Sequence, residues 1–544
     1  MIADSASPRL SPEHAARLRR YGSPETLTAG QRLFGPGDAS YDLFLVDEGE
    51  VHVIAPGIGA APEEPIVRFG PDEIVGELSL LTREAPVLIG RVARGGHAHR
   101  VSGDGLRRLM VEDPELSDVL LRAFIARRAR LSGSAARRTT TIVGPERAKG
   151  TLALRTYAAR LALMHEWIDP DSVHGSALLR ATGLRPEDLP AVILPMALLT
   201  NATPGDLAHA LGLDAAAQLT ETVDLVVVGA GPAGLAAAVY GASEGLDTVL
   251  LDRQGPGGQA AASARIENYL GFPSGLSGAD LTGRAAVQAL KFGARLSAPC
   301  TVTALDRSDR RLHMRLSDGT QIATRATIIA TGARYRTLDL DRWDDYVGAG
   351  IYFAATELEA RACAGAPVTV VGGANSAGQA ALFLASKGCA VTLAIRGPEI
   401  GRSMSAYLID RILADARIDV RTSTKVAELR GDERLREIRL GRDEPQPCAG
   451  LFCFIGAAPE TGWLTGLATD DDGFLRTDAQ LSPEDLGDAW QALRRLPLPF
   501  ECSVPGVFAA GDVRSGSMKR VAAAVGEGAS AVRSVHAAIG SEPR

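Results

Sequence analysis

The strongest constraint on this chain is a cassette that it carries twice: an unbroken apolar strand, a glycine turn, a helix of small residues and a second strand. The first copy reads "VDLVVVGAGPAGLAAAVYGASEGLDTVLLDR" (223–253) and the second "PVTVVGGANSAGQAALFLASKGCAVTLAIRG" (367–397). A strand that is apolar on both faces belongs in a buried parallel sheet, with the following helix as its crossover. In the first copy Gly229, Gly231 and Gly234 form G-x-G-x-x-G at the strand-to-helix turn. Such a turn lets the backbone approach a pyrophosphate closely, with the helix N-terminus facing its charge. Asp252 ends the second strand 23 residues after Gly229, where a carboxylate accepts a hydrogen bond from a ribose hydroxyl.

The second copy departs from this pattern in ways that have consequences. Gly372 and Gly373 open the turn, Asn375 and Ser376 begin the helix, and Ala377 replaces the third glycine. Ala374 stands where the second fingerprint glycine is expected, so a methyl faces the pyrophosphate. Arg396 takes the place of Asp252, and Arg402 lies six residues further on. A guanidinium there holds a 2′-phosphate that a carboxylate would repel, so the site favours NADPH over NADH. The alternative for Arg396 is an ordinary solvated surface charge. Two such units about 140 residues apart point to hydride transfer between a nicotinamide and a flavin.

The remaining length needs further domains, since 544 residues exceed what one core supports. A net charge of −7 provides no basic field for nucleic acid. The start, "MIADSASPRL", has no signal architecture and no apolar run reaches membrane-spanning length, so a soluble cytoplasmic protein is expected, with no membrane partner. The six cysteines (Cys300, Cys363, Cys389, Cys448, Cys453, Cys502) show no C-x-x-C spacing, which argues for buried reduced thiols and against a redox pair or a metal site.

The N-terminal part opens a helix at "SPEHAARLRRYG" and continues in short, glycine-punctuated strands before the helical "DPELSDVLLRAFIARRARL". Regular turns of this kind predict a small β-roll. The order Phe-x-Pro-Gly-Asp, Leu-Phe-Leu-Val-x-x-Gly-x-Val and Gly-Glu-Leu-Ser-Leu-Leu resembles a cyclic-nucleotide-binding domain of the catabolite-activator type over about 125 residues. The resemblance implies that Glu77 faces a ribose and that an Arg about ten residues on pairs with the cyclic phosphate. That position falls near Pro86 and Val87, with Arg83 and Arg91 flanking it out of register. Cyclic-nucleotide binding and a ligand-free docking or regulatory roll both stand as readings. No helix-turn-helix pattern follows.

The middle part alternates strand and helix: "TTTIVG", "TLALRTYAARLAL", "MHEWID", "VHGSALLRATG", "LPAVILP" and "TPGDLAHALGL". This order, with Leu189-Pro190 opening the third strand, resembles a thioredoxin or glutaredoxin-type domain, in which that proline is cis and borders a dithiol. The loop that would carry the dithiol is "GPERAKG", so the scaffold has no thiol chemistry.

Further stretches, "GPGGQAAASARIENYLGFP", "ATIIATGAR" and "VPGVFAAGDVRSGSMKRVAAAVGEGASAV", together with the two cassettes, resemble the low-molecular-weight thioredoxin reductase family over nearly all of residues 222–544. The resemblance implies FAD and NADPH as cofactors and a homodimer. It places Asp512 of Gly511-Asp512 on the ribityl chain, Gly258, Gln259 and Asn268 near the flavin ring, and Lys519-Arg520-Val521 over its pyrimidine edge. The family's Cys-Ala-Thr-Cys before the second cassette reads Ala354-Ala355-Thr356-Glu357 here, and the stretch 479–497 is longer than the family usually has there. A flavin passes electrons to a disulfide only through two thiols, so that route is closed. Two readings remain: an enzyme passing hydride from NADPH to FAD and then directly to a small-molecule or protein electron acceptor, and a redox or nucleotide-state sensor with little turnover. The expected fold is a multidomain α/β chain with four parts: a β-roll (1–131), a degenerate thioredoxin-like domain (138–214), a split FAD-binding Rossmann-like domain (222–337 and 472–544), and an inserted NADPH-binding one (338–471).

Overall fold

The structure, a computed structural model, describes residues 6–57, 62–146, 148–219, 221–263, 266, 269–308, 311–347, 349–353, 355, 357–363, 365–400, 404–432 and 434–540. They fall into two compact units, Met1–Gly332 with Thr461–Arg544, and Ala333–Glu460. No helix among the described residues is long and apolar enough to cross a membrane.

The first unit begins with a helix, Pro12–Arg19, capped by the Ser11 side chain. A six-stranded antiparallel sheet follows, built around the strands Leu43–Ala55 and Ile89–Val101, which pair along most of their length. Helix Pro114–Ser132 closes over it, started by Asp113, whose carboxylate accepts from Leu116 N–H. The middle segment forms a four-stranded sheet. Strands Thr141–Val143 and Glu166–Ile168 are parallel, while Ala191–Ile193 runs antiparallel to the first. The sequence patterns predict three strands here; Leu198–Leu199 adds a fourth by a hairpin with Ala191–Ile193. At two residues it is too short for an alternating pattern to reveal. The Leu189–Pro190 bond is cis. Gly144 and Gly150, at the ends of the "GPERAKG" loop, lie against Pro190 so closely that a Cβ on either would sit 3.1 and 2.9 Å from its ring.

The first cassette forms the centre of a seven-stranded sheet: Val223–Val228 lies between Thr248–Leu251 and Gln321–Ile329, parallel to both. Strand Val507–Ala509, far away in sequence, joins the parallel edge of Gln321–Ile329. Helix Val521–Gly540 then packs on helix Pro232–Ser243, where a Cβ on Gly528 would meet Ala233 O at 2.1 Å. The long stretch 479–497 contains the short helix Asp488–Leu493. It is pinned to the unit by Trp490 Nε1, which donates to Ser503 O at 2.6 Å, and by Arg495 on the fully buried Glu501.

The second unit holds a five-stranded parallel sheet ordered Ile351–Tyr352, Gly450–Cys453, Pro367–Val371, Ala390–Ala394 and Ile418–Arg421. The chain enters and leaves it through an antiparallel ribbon, Ala333–Tyr335 with Ala457–Pro459. That pairing accounts for its boundaries, Ala333 and Glu460; the segment 338–471 drawn from the sequence overlaps it over 338–460.

Candidate cofactor sites

The turn after strand Val223–Val228 accepts only glycine at two of its fingerprint positions. Gly229 has φ +104°, and a Cβ there would lie 2.4 Å from Ala330 O. A Cβ on Gly234 would lie 1.8 Å from Gly229 O. Gly231 differs: it caps the helix, and a Cβ on it meets nothing nearer than Gly258 Cα at 3.9 Å. Gly258 has φ +54° and packs against Gly231, whose Cα a Cβ on Gly258 would meet at 2.9 Å, so two bare backbones meet at the helix N-terminus. A helix N-terminus bordered by bare backbone is the kind of turn that can admit a pyrophosphate. Asp252 stands beside it, half-buried, with Oδ2 accepting from Ala230 N–H at 2.7 Å and Oδ1 from the N–H groups of Gln254 and Gly255 at 2.8 Å each. Gln259 is exposed next to Gly258. Asn268 lies outside the described residues.

Gly511, with φ +77°, turns the chain after strand Val507–Ala509 and presents Asp512. The Asp512 carboxyl has no hydrogen bond within the described residues, and burial pushes its pKa up to about 6 against the pull of Lys519, with Glu527 adding to the rise. A sheltered acceptor without a donor is costly unless a ligand supplies one, and the sugar-like hydroxyls of a ribityl chain are such donors. The turn itself is held by Glu527, which accepts from Gly511 N–H at 2.7 Å, from Arg514 and from Ser517 Oγ. Sequence reasoning passed over Glu527; a lone carboxylate in the Ala/Gly-rich helix Val521–Gly540 was the available signal. Val521 opens that helix and Arg520 before it is exposed. Lys519 lies 4.3 Å from the Phe474 ring, its pKa lowered by burial.

In the second unit the parallel pairing sets Val371 opposite Ala394. Gly372 and Arg396 therefore follow the same edge of the sheet. Gly372 has φ +149°, and a Cβ on it would meet Phe454 O at 2.5 Å. Ala377 is fully buried under the turn, while Ala374, Asn375 and Ser376 are exposed at the start of helix Asn375–Ser386, with Asn375 Oδ1 accepting from Ser405 N–H at 2.8 Å. Gly373 is half-buried between them. Arg396 is exposed and forms no hydrogen bond or ion pair within the described residues. Arg402 lies outside them.

The segment at the family's dithiol position is partly described. Ala354 and Thr356 lie outside the described residues, and Glu357 opens the helix Glu357–Ala362. Phe353, just before it, stacks on Tyr335 with ring centroids 4.9 Å apart. All six cysteines are free thiols, five of them buried. Burial pushes Cys363 and Cys448 up to about 11 and Cys300 and Cys453 up to about 12, so none is an activated thiolate.

The Gly-Glu-Leu cassette of the N-terminal sheet lies beside a buried charge cluster. Arg128, from helix Pro114–Ser132, donates to Glu77 at 2.7 and 2.9 Å and to Glu84 at 2.9 Å. Burial raises Glu77, but Arg128 outweighs it and holds the carboxyl below its usual range; at Glu84 burial prevails and the pKa is raised. Arg127 donates to the carbonyls of Ala6, Ile74 and Gly76, over the face of Phe69. The space left, lined by Tyr41, Phe69, Pro86, Val87, Arg127 and Met164, is about 30 Å³, against the roughly 300 Å³ or more of a small-molecule pocket. Of the two arginines read as flanking, Arg91 is tied to Glu63 at 2.7 and 2.9 Å and Arg83 is exposed. The sequence signal for this cluster was weak: the Arg127-Arg128 doublet lies in a helix that also carries Glu115, Asp118, Arg122 and Arg130.

Two strand–glycine turn–helix cassettes on parallel strands, the first ending at Asp252 and the second at Arg396, are the pattern of a two-dinucleotide flavoprotein. The comparisons with known proteins agree. The family model described as pyridine nucleotide-disulphide oxidoreductase matches residues 223–528, and the chain belongs to that family. A thioredoxin reductase of Listeria innocua is 30% identical over 318 residues, 56% of this chain and 90% of that protein. One of Treponema pallidum is 30% identical over 311 residues, 56% and 94% of the respective chains. The crystal structure of thioredoxin reductase from Streptococcus pyogenes superposes with a TM-score of 0.51 at 27% identity, covering 59% of this chain and 99% of that one. The protein is thus an NAD(P)H-dependent flavin oxidoreductase of thioredoxin reductase-like type, with FAD and NADPH as the family's cofactors.

Proposed function

We propose that the protein takes hydride from NADPH onto FAD and passes the electrons directly to a small-molecule or protein acceptor, with no dithiol in between. FAD, when bound, supplies the hydride-accepting and electron-donating chemistry; the chain binds and orients it. In this reading Gly229, Gly231, Gly234 and Gly258 admit the pyrophosphate, Asp252 takes the ribose, and Asp512 takes a ribityl hydroxyl. Gln259, Asn268, Arg520 and Val521 border the flavin. Gly372, Gly373, Asn375, Ser376 and Ala377 receive NADPH, with Arg396 and Arg402 on its 2′-phosphate. The observation that carries the absence of a dithiol step is the sequence Ala354-Ala355-Thr356-Glu357, in a chain whose cysteines are all free, high-pKa thiols. The test is anaerobic reduction by NADPH followed by a screen of quinones, dyes and oxidised thioredoxin. A variant with all six cysteines replaced should reduce the dyes as the parent does. Cysteine-dependent reduction of thioredoxin by the parent overturns the reading.

The N-terminal sheet is in this view a cyclic-nucleotide-binding-like roll whose ligand space is filled by Arg127, Arg128, Glu77 and Glu84. The middle segment is a thioredoxin-like scaffold without thiols. The sensor reading has one observation in its favour: Leu131, Tyr157, Met164, Leu207 and Ala298, from the roll, the middle segment and the FAD-binding part, share one apolar core. By family resemblance the protein acts as a cytoplasmic homodimer.

A further inference from the structure

We propose that the thioredoxin-like segment braces the adenosine end of the FAD site, with Tyr157 and Arg160 as positioning residues for Asp252. The inference rests on reading Asp252 and the Gly229–Gly234 turn as the FAD cradle. Tyr157 and Arg160 lie three residues apart on helix Lys149–Arg160 and so share one face.

Tyr157 is 1% exposed, and its hydroxyl donates to Ala298 O at 2.8 Å, 141 residues away. A hydroxyl so deeply buried needs a partner, and this one is in the segment that grips the Asp252 backbone. Asp252 N–H donates to Ser297 O at 3.1 Å, and Cys300 N–H donates to Asp252 O at 2.7 Å. The same segment is tied a second time where Ala216 N–H donates to Ser297 Oγ at 3.2 Å.

Arg160 acts on the Asp252 side chain. Its guanidinium lies 3.4 Å from Gly255 O, and a Cβ on Gly255 would be 3.4 Å from Arg160 Cβ. Gly255, at φ +120°, donates its N–H to Asp252 Oδ1, while Oδ2 accepts from Ala230 in the fingerprint turn. One helix face thus supports both the backbone and the carboxylate of the ribose-binding residue. The next turn of chain reaches the roll: Ala162 O accepts from Arg128, and Met164 lines the cavity there. A segment fixed in this way and lacking thiols is part of a cofactor site rather than an electron carrier.

The experiment follows FAD release from the full-length holoprotein by flavin fluorescence after dilution, for Tyr157→Phe, Arg160→Ala and Arg160→Lys, in the parent and in an Asp252→Asn background. Tyr157→Phe and Arg160→Ala should each release FAD about three- to tenfold faster, the size of one net hydrogen bond, with Arg160→Lys in between. The unfolding midpoint of the apoprotein should fall by no more than about 2–4 °C, the worth of one buried hydrogen bond. In Asp252→Asn the accelerations should shrink, because the struts act through that carboxylate. Release rates equal to the parent's, accelerations undiminished by Asp252→Asn, or a larger fall in the apoprotein midpoint that accounts for the loss would each overturn the proposal. A parent that takes up no FAD would instead refute the FAD reading beneath it.

Discussion

Arg128→Met should destabilise the N-terminal sheet and its covering helix more than any surface substitution. The guanidinium makes three charge-assisted bonds to Glu77 and Glu84 and a fourth bond, at 3.2 Å, to Ala162 O in the next domain. Methionine matches its stem but leaves two carboxylates, both under 10% exposed, without a counter-charge. Removing one partner of a buried ion pair costs about 3–5 kcal/mol, and the high end applies where two carboxylates are stranded together. The pH dependence has a definite sign. Without Arg128 both carboxyls rise above their unfolded values, so the folded form binds more protons between the two pKa values. The deficit is then full above the raised folded pKa and disappears as pH falls towards the ordinary glutamate range near about 4.3. Urea unfolding followed by tryptophan fluorescence measures it, since Trp167 sits in the domain that Arg128 touches through Ala162. Combining Arg128→Met with Glu77→Gln and Glu84→Gln removes the stranded charges and should return stability to within about 1–2 kcal/mol of the parent. A single variant within about 1 kcal/mol of the parent at neutral pH, or a triple variant as unstable as the single one, would refute the reasoning.

Cyclic AMP titrated calorimetrically into the full chain should give no binding heat, because Arg128 already occupies Glu77; tight binding would show that the cavity opens. FAD affinity should be full above pH about 6 and fall below it, since a hydroxyl donor favours the ionised Asp512; dissociation constants from pH 5 to 8 should show this, and Asp512→Asn should flatten the profile. Arg396→Glu should cut the preference for NADPH over NADH by about 10- to 100-fold, the worth of a charged hydrogen bond to the phosphate. Flavin-reduction rates with each nucleotide decide this, and an unchanged ratio would remove Arg396 from the site.

What the sequence determined by itself is local. The apolar strands, the glycine turns at Gly229 and Gly372, and Asp252 at a strand end could be placed because periodicity and backbone dihedral demands are written within a few residues. The Ser11 and Asp113 helix caps follow from the same short-range chemistry. Tertiary structure decided the partners. The "ARRAR" stretch reads equally as a solvated helix face, and only folding back over the sheet brings Arg128 to Glu77, 51 residues away. Val507–Ala509 is an ordinary apolar run until it pairs with Gln321–Ile329, and Tyr157 an ordinary core aromatic until its hydroxyl meets Ala298. Glu527 becomes an anchor only where its helix passes Gly511. Each of these depends on which low-dielectric surface a distant group lands against. That is settled by the packing of whole elements, and no window of neighbouring residues encodes it.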